Sequence, residues 1–498
     1  MIRPARTRVF NILSEGPPQT VRSPRLQALD RALDRDPDAI EARAERAGLL
    51  REQGAFEEAK QDYLELLRRR PTDFAALNDF GTLVLNAGYR EAARSLFGEA
   101  VRHHPANANG HVNLANLLFL IGEPEQARNH FEVALKLDPN HIHAHRGMGN
   151  LLAAIGDAAG ARRHRDMGFR NHALNALPYR GEGAPISVLL LVSAAGGNIP
   201  TSTLLDDRYF QTTVLVTEYF DPGSVLPPHD LVFNSIGDAD LCREGLEAAG
   251  NVLSRTMRPV INQPSRVLDT GRVSNVERLR GLSNVIVPRM VTLPRDTLIG
   301  PRAADVIAGC GLAFPFLVRA PGFHTGHHFA HVSTLQELAP AVVKFPGDDV
   351  WLIERLDARD GEGLFRKCRA MFVDRTLYPL HLAISRHWKV HYFTADMADS
   401  EEHRAKDQAF LEDMAGVIAP GGMAGLERIR ATLGLDYGGI DFAVNPRGDI
   451  LFFEANATMV VYPPSLDPKW AYRRPAVEAV LAAVRTMLTE RSIAARAA

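Results

Sequence analysis

Apolar and small residues in the first third of the chain recur every 34 positions. Prolines stand at 37, 71, 105 and 139, and glycines at 54, 88, 122 and 156. Ala47, Gly81, Ala115 and Gly149 share one phase of that period, Ala59, Ala93, Ala127 and Ala161 a second, and Tyr63, Phe97 and Phe131 a third. This pattern predicts pairs of antiparallel helices. Small residues let the helices approach closely, the aromatic fills the space between neighbouring pairs, and the proline ends the second helix of each. In the last unit Arg165 replaces the aromatic and Gly168 the alanine, as in a terminal capping repeat. Residues 24–36 read as the second helix of an incomplete leading unit.

The helical period stops at NALPYRGEGAP (175–185), where two prolines and two glycines mark the main domain boundary. Short apolar runs follow. ISVLLLV reads as a strand opening a parallel sheet, TTVLVTEYF (212–220) and DLVFNSIGDAD (230–240) as further strands, LCREGLEAAGNVLSRT as a helix and PVINQP as a short strand ending. Asp238 and Asp240 follow a strand end, where open α/β sheets bind ligands, so they are candidate substrate contacts. GGN after the first strand reads as a structural turn.

FPFLVRAPGFHTGHHFAH (314–331) predicts a strand, a glycine loop and a second strand. Gly322, Thr325 and Gly326 can offer N–H groups and a hydroxyl to phosphate oxygens, and Arg319 adds charge. The histidines at 324, 327, 328 and 331 would scatter over both faces of a strand, which favours a phosphate loop over a metal site. VWLIERL (350–356) is a strand broken by Glu354-Arg355, and Asp357, Asp360 and Glu362 follow it as candidates for ribose hydroxyls. FRKCRAMFV, YPLHLAIS and WKVHYF read as strands carrying Lys367, Arg369 and Arg386, cationic candidates for a triphosphate or an acidic substrate.

GGIDFAV and DILFFEAN, joined by NPRGD, predict a hairpin. A turn with an even number of residues would set Asp441 across from Glu454, with Asn456 on the same face. Directly opposed Cβ atoms are roughly 4.5–5.5 Å apart. Two carboxylates that close are costly in a buried setting, and a cation between them relieves the cost. Asp, Glu and Asn offer hard oxygen ligands, which suit Mg²⁺.

Composition narrows the function classes. Lys and Arg number 57 and Asp and Glu 59, a net charge of -2, so no global basic field exists for nucleic acid. The three cysteines are isolated, which excludes a disulfide framework or zinc ribbon. No signal peptide or membrane span is read from the sequence, and a cytoplasmic location is expected. The histidines at 141, 143 and 145 and at 103 and 104 are expected on solvated helix faces. No Ser/His/Asp or Cys/His nucleophile signature is present.

The 34-residue pattern resembles tetratricopeptide repeats over residues 24–173, and such stacks bind peptides or proteins. Residues 186–490 resemble the ATP-grasp superfamily, in particular ribosomal-protein-S6 glutamate ligases and glutathione synthetases. The resemblance implies a multidomain chain: an all-α helical-repeat solenoid (1–178), an α/β pre-ATP-grasp domain (185–268) and an α+β ATP-grasp domain (269–498). It implies ATP and Mg²⁺, with Mn²⁺ as an alternative, as cofactors. Asp441, Glu454 and Asn456 would hold the metal, Glu354, Arg355 and Leu356 would form the hinge, and Ala320–His328 the phosphate loop. The implied activity is carboxylate–amine or carboxylate–thiol ligation through an acyl phosphate, on small-molecule or peptide substrates. A phosphotransferase or a nucleotide-binding scaffold without turnover are the alternatives. The chain departs from the family by carrying Arg319 where a phosphate-binding lysine is usual, with Arg272 nearest to a second missing lysine.

Overall fold

Each periodic glycine lies at a helix-to-helix turn with a left-handed backbone: φ is +74° at Gly54, +90° at Gly88, +85° at Gly122 and +89° at Gly156. A side chain there would be strained, so the period of glycine is the period of the turn. The computed structural model describes residues 22–323, 328–390, 395–465 and 467–497. The chain divides into two units, Met1–Gly168 and Phe169–Ala498.

The first unit is a helical stack. A leading helix α1 (Pro24–Arg35) precedes the pairs α2 (Ile40–Glu52) with α3 (Phe56–Arg69), α4 (Phe74–Asn86) with α5 (Arg90–His103), α6 (Ala108–Leu120) with α7 (Pro124–Leu137), and α8 (Ile142–Ala154) with α9 (Ala158–Phe169). Tyr63, Phe97 and Phe131 are buried, as are the alanines at 59, 93, 127 and 161. A Cβ on Gly81 would stand 2.6 Å from the Phe97 ring, so the small residue is required where the helices meet.

His143 is exposed as expected, whereas His141 and His145 depart from the solvated reading. His141 is buried because it caps α8, its side chain accepting from the Ala144 amide, as Asp73 and Asn107 cap α4 and α6. His145 is buried against His164, with Nδ1···Nδ1 at 2.9 Å and Nε2 at 2.9 Å from the Pro139 carbonyl. One repeat earlier, His111 and His130 make the same contact at 3.0 Å, with His111 Nε2 on the Pro105 carbonyl. A carbonyl only accepts, so Nε2 of His111 and His145 carries the proton, and each Nδ1 accepts from its partner's Nδ1–H. The same repeat phase holds Leu77 and Leu96, and before them the ion pair Arg43–Asp62 at 3.1 Å.

Among the described residues, the second unit contains three sheets. In the first, β2 (Ile186–Val192), β3 (Phe210–Val216), β4 (Leu231–Asn234) and β5 (Val260–Ile261) are parallel, and β1 (Leu174–Ala176) adds an antiparallel edge in the order β1-β3-β2-β4-β5. Helices α10 (Arg243–Leu253), α11 (Pro264–Leu268) and α12 (Arg272–Leu279) accompany it. After the short strand β6 (Val285–Ile286), a second sheet orders β7 (Met290–Pro294), β8 (Phe316–Arg319), β9 (Phe329–Val332) and β10 (Asp349–Glu354) as β7-β10-β8-β9, all antiparallel. The third orders β11 (Phe365–Val373), β12 (Thr376–Ser385), β13 (Tyr437–Val444) and β14 (Ile450–Asn456) as β12-β11-β13-β14-β6. β11 and β12 pair with each other. Residues 388–390 of WKVHYF are not in a strand, and 391–394 lie outside the described residues.

Two features set the third sheet against the first. Helix Arg474–Ala497 contributes Val477, Val480, Val484 and Leu488 to one core with Val188, Leu190 and Phe233 of the first sheet and Met371 and Tyr437 of the third. Asn262, buried with φ +58°, accepts from the Asp436 and Tyr437 amides at 2.9 and 3.0 Å and donates to the Tyr437 carbonyl at 2.8 Å. That clasp ties the end of β5 to the start of β13.

The hairpin turn is odd, not even. Asn445 and Asp449 pair across Pro446, Arg447 and Gly448, with φ +84° at Gly448. Continued unbroken, the register Val444↔Ile450 would put Phe453 opposite Asp441. A bulge in β14 takes up the extra residue and restores Asp441↔Glu454.

Candidate functional site

A cleft of about 880 Å³ in the second unit is bordered by the edges of the second and third sheets and by the loops that follow β2 and β4. β13 places Asp441 at its floor, 4 % exposed. Arg369 stands directly opposite on β11 and holds that carboxylate with both nitrogens, Nε–Oδ1 at 2.6 Å and Nη2–Oδ2 at 2.9 Å. Lys367, two residues along the same face, donates to Oδ2 at 3.1 Å. Burial alone would raise the Asp441 carboxyl, but Arg369 and Lys367 hold it well below the usual carboxylate range.

Glu454, across the strand pair, is engaged by Arg272 at 2.8 Å and by the Asn456 amide at 2.9 Å. Burial pushes its carboxyl up; Arg272 and Arg319 outweigh that and bring it to about 2. Arg319, buried at the end of β8, donates to the Phe323 carbonyl and lies 5.4 Å above the Phe329 ring. Burial and the neighbouring Arg272 lower its guanidinium to about 10. Leu317, Phe329, Ile353, Phe365 and Trp388 add apolar and aromatic lining beside Glu354, Arg355 and Leu356, with Arg319 and Lys389 over the Phe329 ring and Arg355 over Phe365.

The structure therefore brings together Arg319, Glu354, Arg355, Leu356, Lys367, Arg369, Asp441, Glu454 and Asn456. Gly322 and Glu362 are not among the cleft-lining residues, and Glu362 is exposed and paired with Lys406 at 3.1 Å. Arg386 is exposed beyond the end of β12, its amide bonded to Asp396. Thr325 and Gly326 lie outside the described residues. His381, opposite Arg369 on β12, was not foreseen: it lines the cleft, is buried, and burial and Arg369 push its imidazole well below the usual value. Arg473 and Trp470 enter from the short helix Pro468–Arg473, which carried no motif.

Among the described residues, eight Arg or Lys and four Asp or Glu line this cleft, in a chain where acids slightly outnumber bases. Such a wall is complementary to a multiply charged anion. The opposed oxygens of Asp441 and Glu454, each now neutralised by arginine, form a hard donor set that fits Mg²⁺.

Family models for the tetratricopeptide repeat match residues 26–74 and 108–141. The N-terminal helices are tetratricopeptide repeats. Solved structures similar to this region include MamA from Desulfovibrio magneticus RS-1, 22 % identical over 28 % of this chain and 78 % of that one, with a TM-score of 0.26. A thermophilic tetratricopeptide protein of Thermus thermophilus is 21 % identical over 29 % of this chain and 79 % of its own, also at 0.26. YrrB, described as a repeat protein with an unusual peptide-binding site, is 20 % identical over 29 % of this chain and 74 % of its own, again at 0.26. No curated protein matches the chain. No helix among the described residues is long and apolar enough to cross a membrane.

Proposed function

We propose that the second unit is an ATP-grasp enzyme, an ATP- and Mg²⁺-dependent ligase joining a carboxylate to an amine or thiol, and that the repeats recruit a protein or peptide partner. The observation that carries this reading is the convergence of Arg272, Arg319, Lys367 and Arg369 on the Asp441–Glu454 pair in a cleft that also has aromatic lining. The aromatic lining suits a nucleobase, and the cationic side chains a triphosphate.

Asp441, Glu454 and Asn456 would hold Mg²⁺, which supplies charge neutralisation for phosphoryl oxygens. The chain's own part is positioning. Arg319 and Arg272 bind phosphate oxygens, while Lys367 and Arg369, released from Asp441, stabilise charge on the transferred group. The substrate carboxylate attacks the γ-phosphorus and ADP leaves; the nucleophile then adds to the acyl carbon and phosphate leaves. No side-chain nucleophile is needed, in accord with the residues present.

Calorimetry with ATP and Mg²⁺, paired with an ADP-release assay over pools of acids and amines, tests the proposal. Asp441→Asn is expected to abolish ADP release while the fold persists; unchanged release would remove the metal assignment. Binding without release under every pool would favour the scaffold reading, for which Arg319 in place of a lysine is the specific observation, because arginine does not reproduce a lysine's compact charge. A stable phosphorylated product seen by mass spectrometry would identify a phosphotransferase.

A further inference from the structure

The three side chains that would hold a metal are each engaged from within the chain. Asp441 has both oxygens taken: Arg369 donates to Oδ1 at 2.6 Å and to Oδ2 at 2.9 Å, and Lys367 adds a contact to Oδ2 at 3.1 Å. Glu454 Oε1 accepts from Arg272 at 2.8 Å and from the Asn456 amide group at 2.9 Å. Asn456 Oδ1 accepts from the Thr458 amide at 3.0 Å and from its hydroxyl at 2.7 Å. An amide oxygen has two lone pairs, so that acceptor is filled. The sheet itself delivers two of the cations. Arg369 is the register partner of Asp441 on β11, and Lys367 stands two residues along the same face.

A divalent cation arriving by itself has to displace these partners, and it does so against a positive field. Asp238 and Asp240 lie close enough to act on the guanidinium groups of Arg272 and Arg319. Even with Asp240 added to the four acids of the lining, the eight bases among the described residues outnumber them. That field repels a lone divalent cation and attracts a polyphosphate. Phosphate oxygens accept from guanidinium and ammonium groups as carboxylates do, so the anion can take over the same donors.

We propose that Arg369, Lys367 and Arg272 lock the metal seat and that a polyphosphate anion opens it. Phosphate oxygens draw these three side chains away, and only then do Asp441 and Glu454 accept a divalent ion. Resting on the ligase reading above, the anion is the triphosphate of ATP. Metal binding is thereby conditional on nucleotide, and because coupling between two ligands is reciprocal, the metal in turn tightens the nucleotide.

The test uses the full chain and Mn²⁺, whose binding is read from the relaxation of water protons without any turnover. For the unaltered protein, enhanced relaxation is expected when ATP is present and not with Mn²⁺ alone. Arg369→Gln and Arg272→Gln each free one carboxylate, and both are expected to bind Mn²⁺ alone about tenfold or more tightly than the unaltered protein, the scale of a lost charged hydrogen bond. Two variants on different elements guard against one failing to fold, which tryptophan fluorescence checks. Adding Asp441→Asn to Arg369→Gln should abolish the gain. Binding of Mn²⁺ alone by the unaltered protein as tight as in the variants would overturn the proposal. So would the lack of a gain in both folded variants, or a gain that survives Asp441→Asn. Calorimetry with ATP in EDTA on the same samples separates the two claims. ATP binding with no gain of Mn²⁺ in either variant overturns the lock alone. A gain of Mn²⁺ without ATP binding overturns the ligase reading and upholds the lock.

Discussion

Glu454→Gln isolates the electrostatic work done at the floor of the cleft. Glu454 and Arg272 meet at 2.8 Å with side chains 26 % and 14 % exposed, and Arg319 adds to the positive field. The carboxyl moves from 4.5 to about 2 on folding. At about 1.36 kcal/mol per pKa unit, the pair contributes about 3 kcal/mol at neutral pH. The amide keeps the shape and removes the charge, leaving Arg272 facing Arg319. Because the folded pKa is depressed, this stability is fully present above about 4.5 and is lost as the pH falls towards 2. The loss caused by the substitution is therefore expected to be about 3 kcal/mol at pH 7 and to shrink steadily below pH 4.5. Trp351, Trp388 and Trp470 are the three tryptophans of the chain, and all lie in the second unit. Urea unfolding followed by tryptophan fluorescence therefore reports this unit alone. Equal midpoints for the two proteins at pH 7, or a difference that stays constant from pH 7 to pH 3, would refute the reasoning.

Three further outcomes are expected. Gly147→Ala would set a Cβ 2.3 Å from the fully buried Phe131 ring, so a loss of about 1–3 kcal/mol is expected in the helical unfolding transition followed by circular dichroism. Asn262→Ala removes the clasp between β5 and β13 and places alanine at φ +58°; a loss of about 3 kcal/mol or more in the fluorescence transition is expected, with most of it retained in Asn262→Gly, which tolerates the backbone but makes no clasp. Burial, with the paired histidine next, lowers the imidazoles of His130 and His164 in the folded chain. Their stability contribution is thus full above the ordinary histidine value and is lost as pH falls below it. The midpoint of the helical transition should drop between pH 7.5 and 5.5, and the double variant His111→Leu/His130→Leu, which copies Leu77 and Leu96, should flatten that drop.

The repeats were legible because one structural unit writes the same small-residue and proline positions four times over and the aromatic three times, and no tertiary accident can imitate the period. The identity of the acids in the hairpin was equally legible, since Asp441, Glu454 and Asn456 fall on one face of two apolar strands. Their register was right for a reason the sequence does not display: the turn is odd, and a bulge at the second of two adjacent phenylalanines corrects it. What escaped were pairings over long distance: Arg319, Lys367 and Arg369 were named as cations, but not which carboxylate each would meet. Arg272 starts a helix far upstream and carries no local signal that it will meet Glu454. The same holds for Asn262, whose left-handed backbone and strand clasp depend on β13. His141 and His145 were misread because helical spacing gives the face of a residue but not what the next helix presents to it. Glu362 and Arg386 were placed by proximity in sequence to a strand end, and the chain turns there before either can face the cleft.

The histidine pairs also give the repeat stack a direction. At one phase of the period the first pair of helices carries an ion pair, the next leucines, and the last two carry imidazoles that bond only while neither pair is doubly protonated. In a stack where each repeat leans on its neighbours, instability spreads from the weakest junction. Mild acid would therefore peel this stack from its C-terminal repeats, leaving the N-terminal ones paired. Amide exchange along the chain at pH 5.5 would read that order residue by residue, as a gradient of protection rising towards α2.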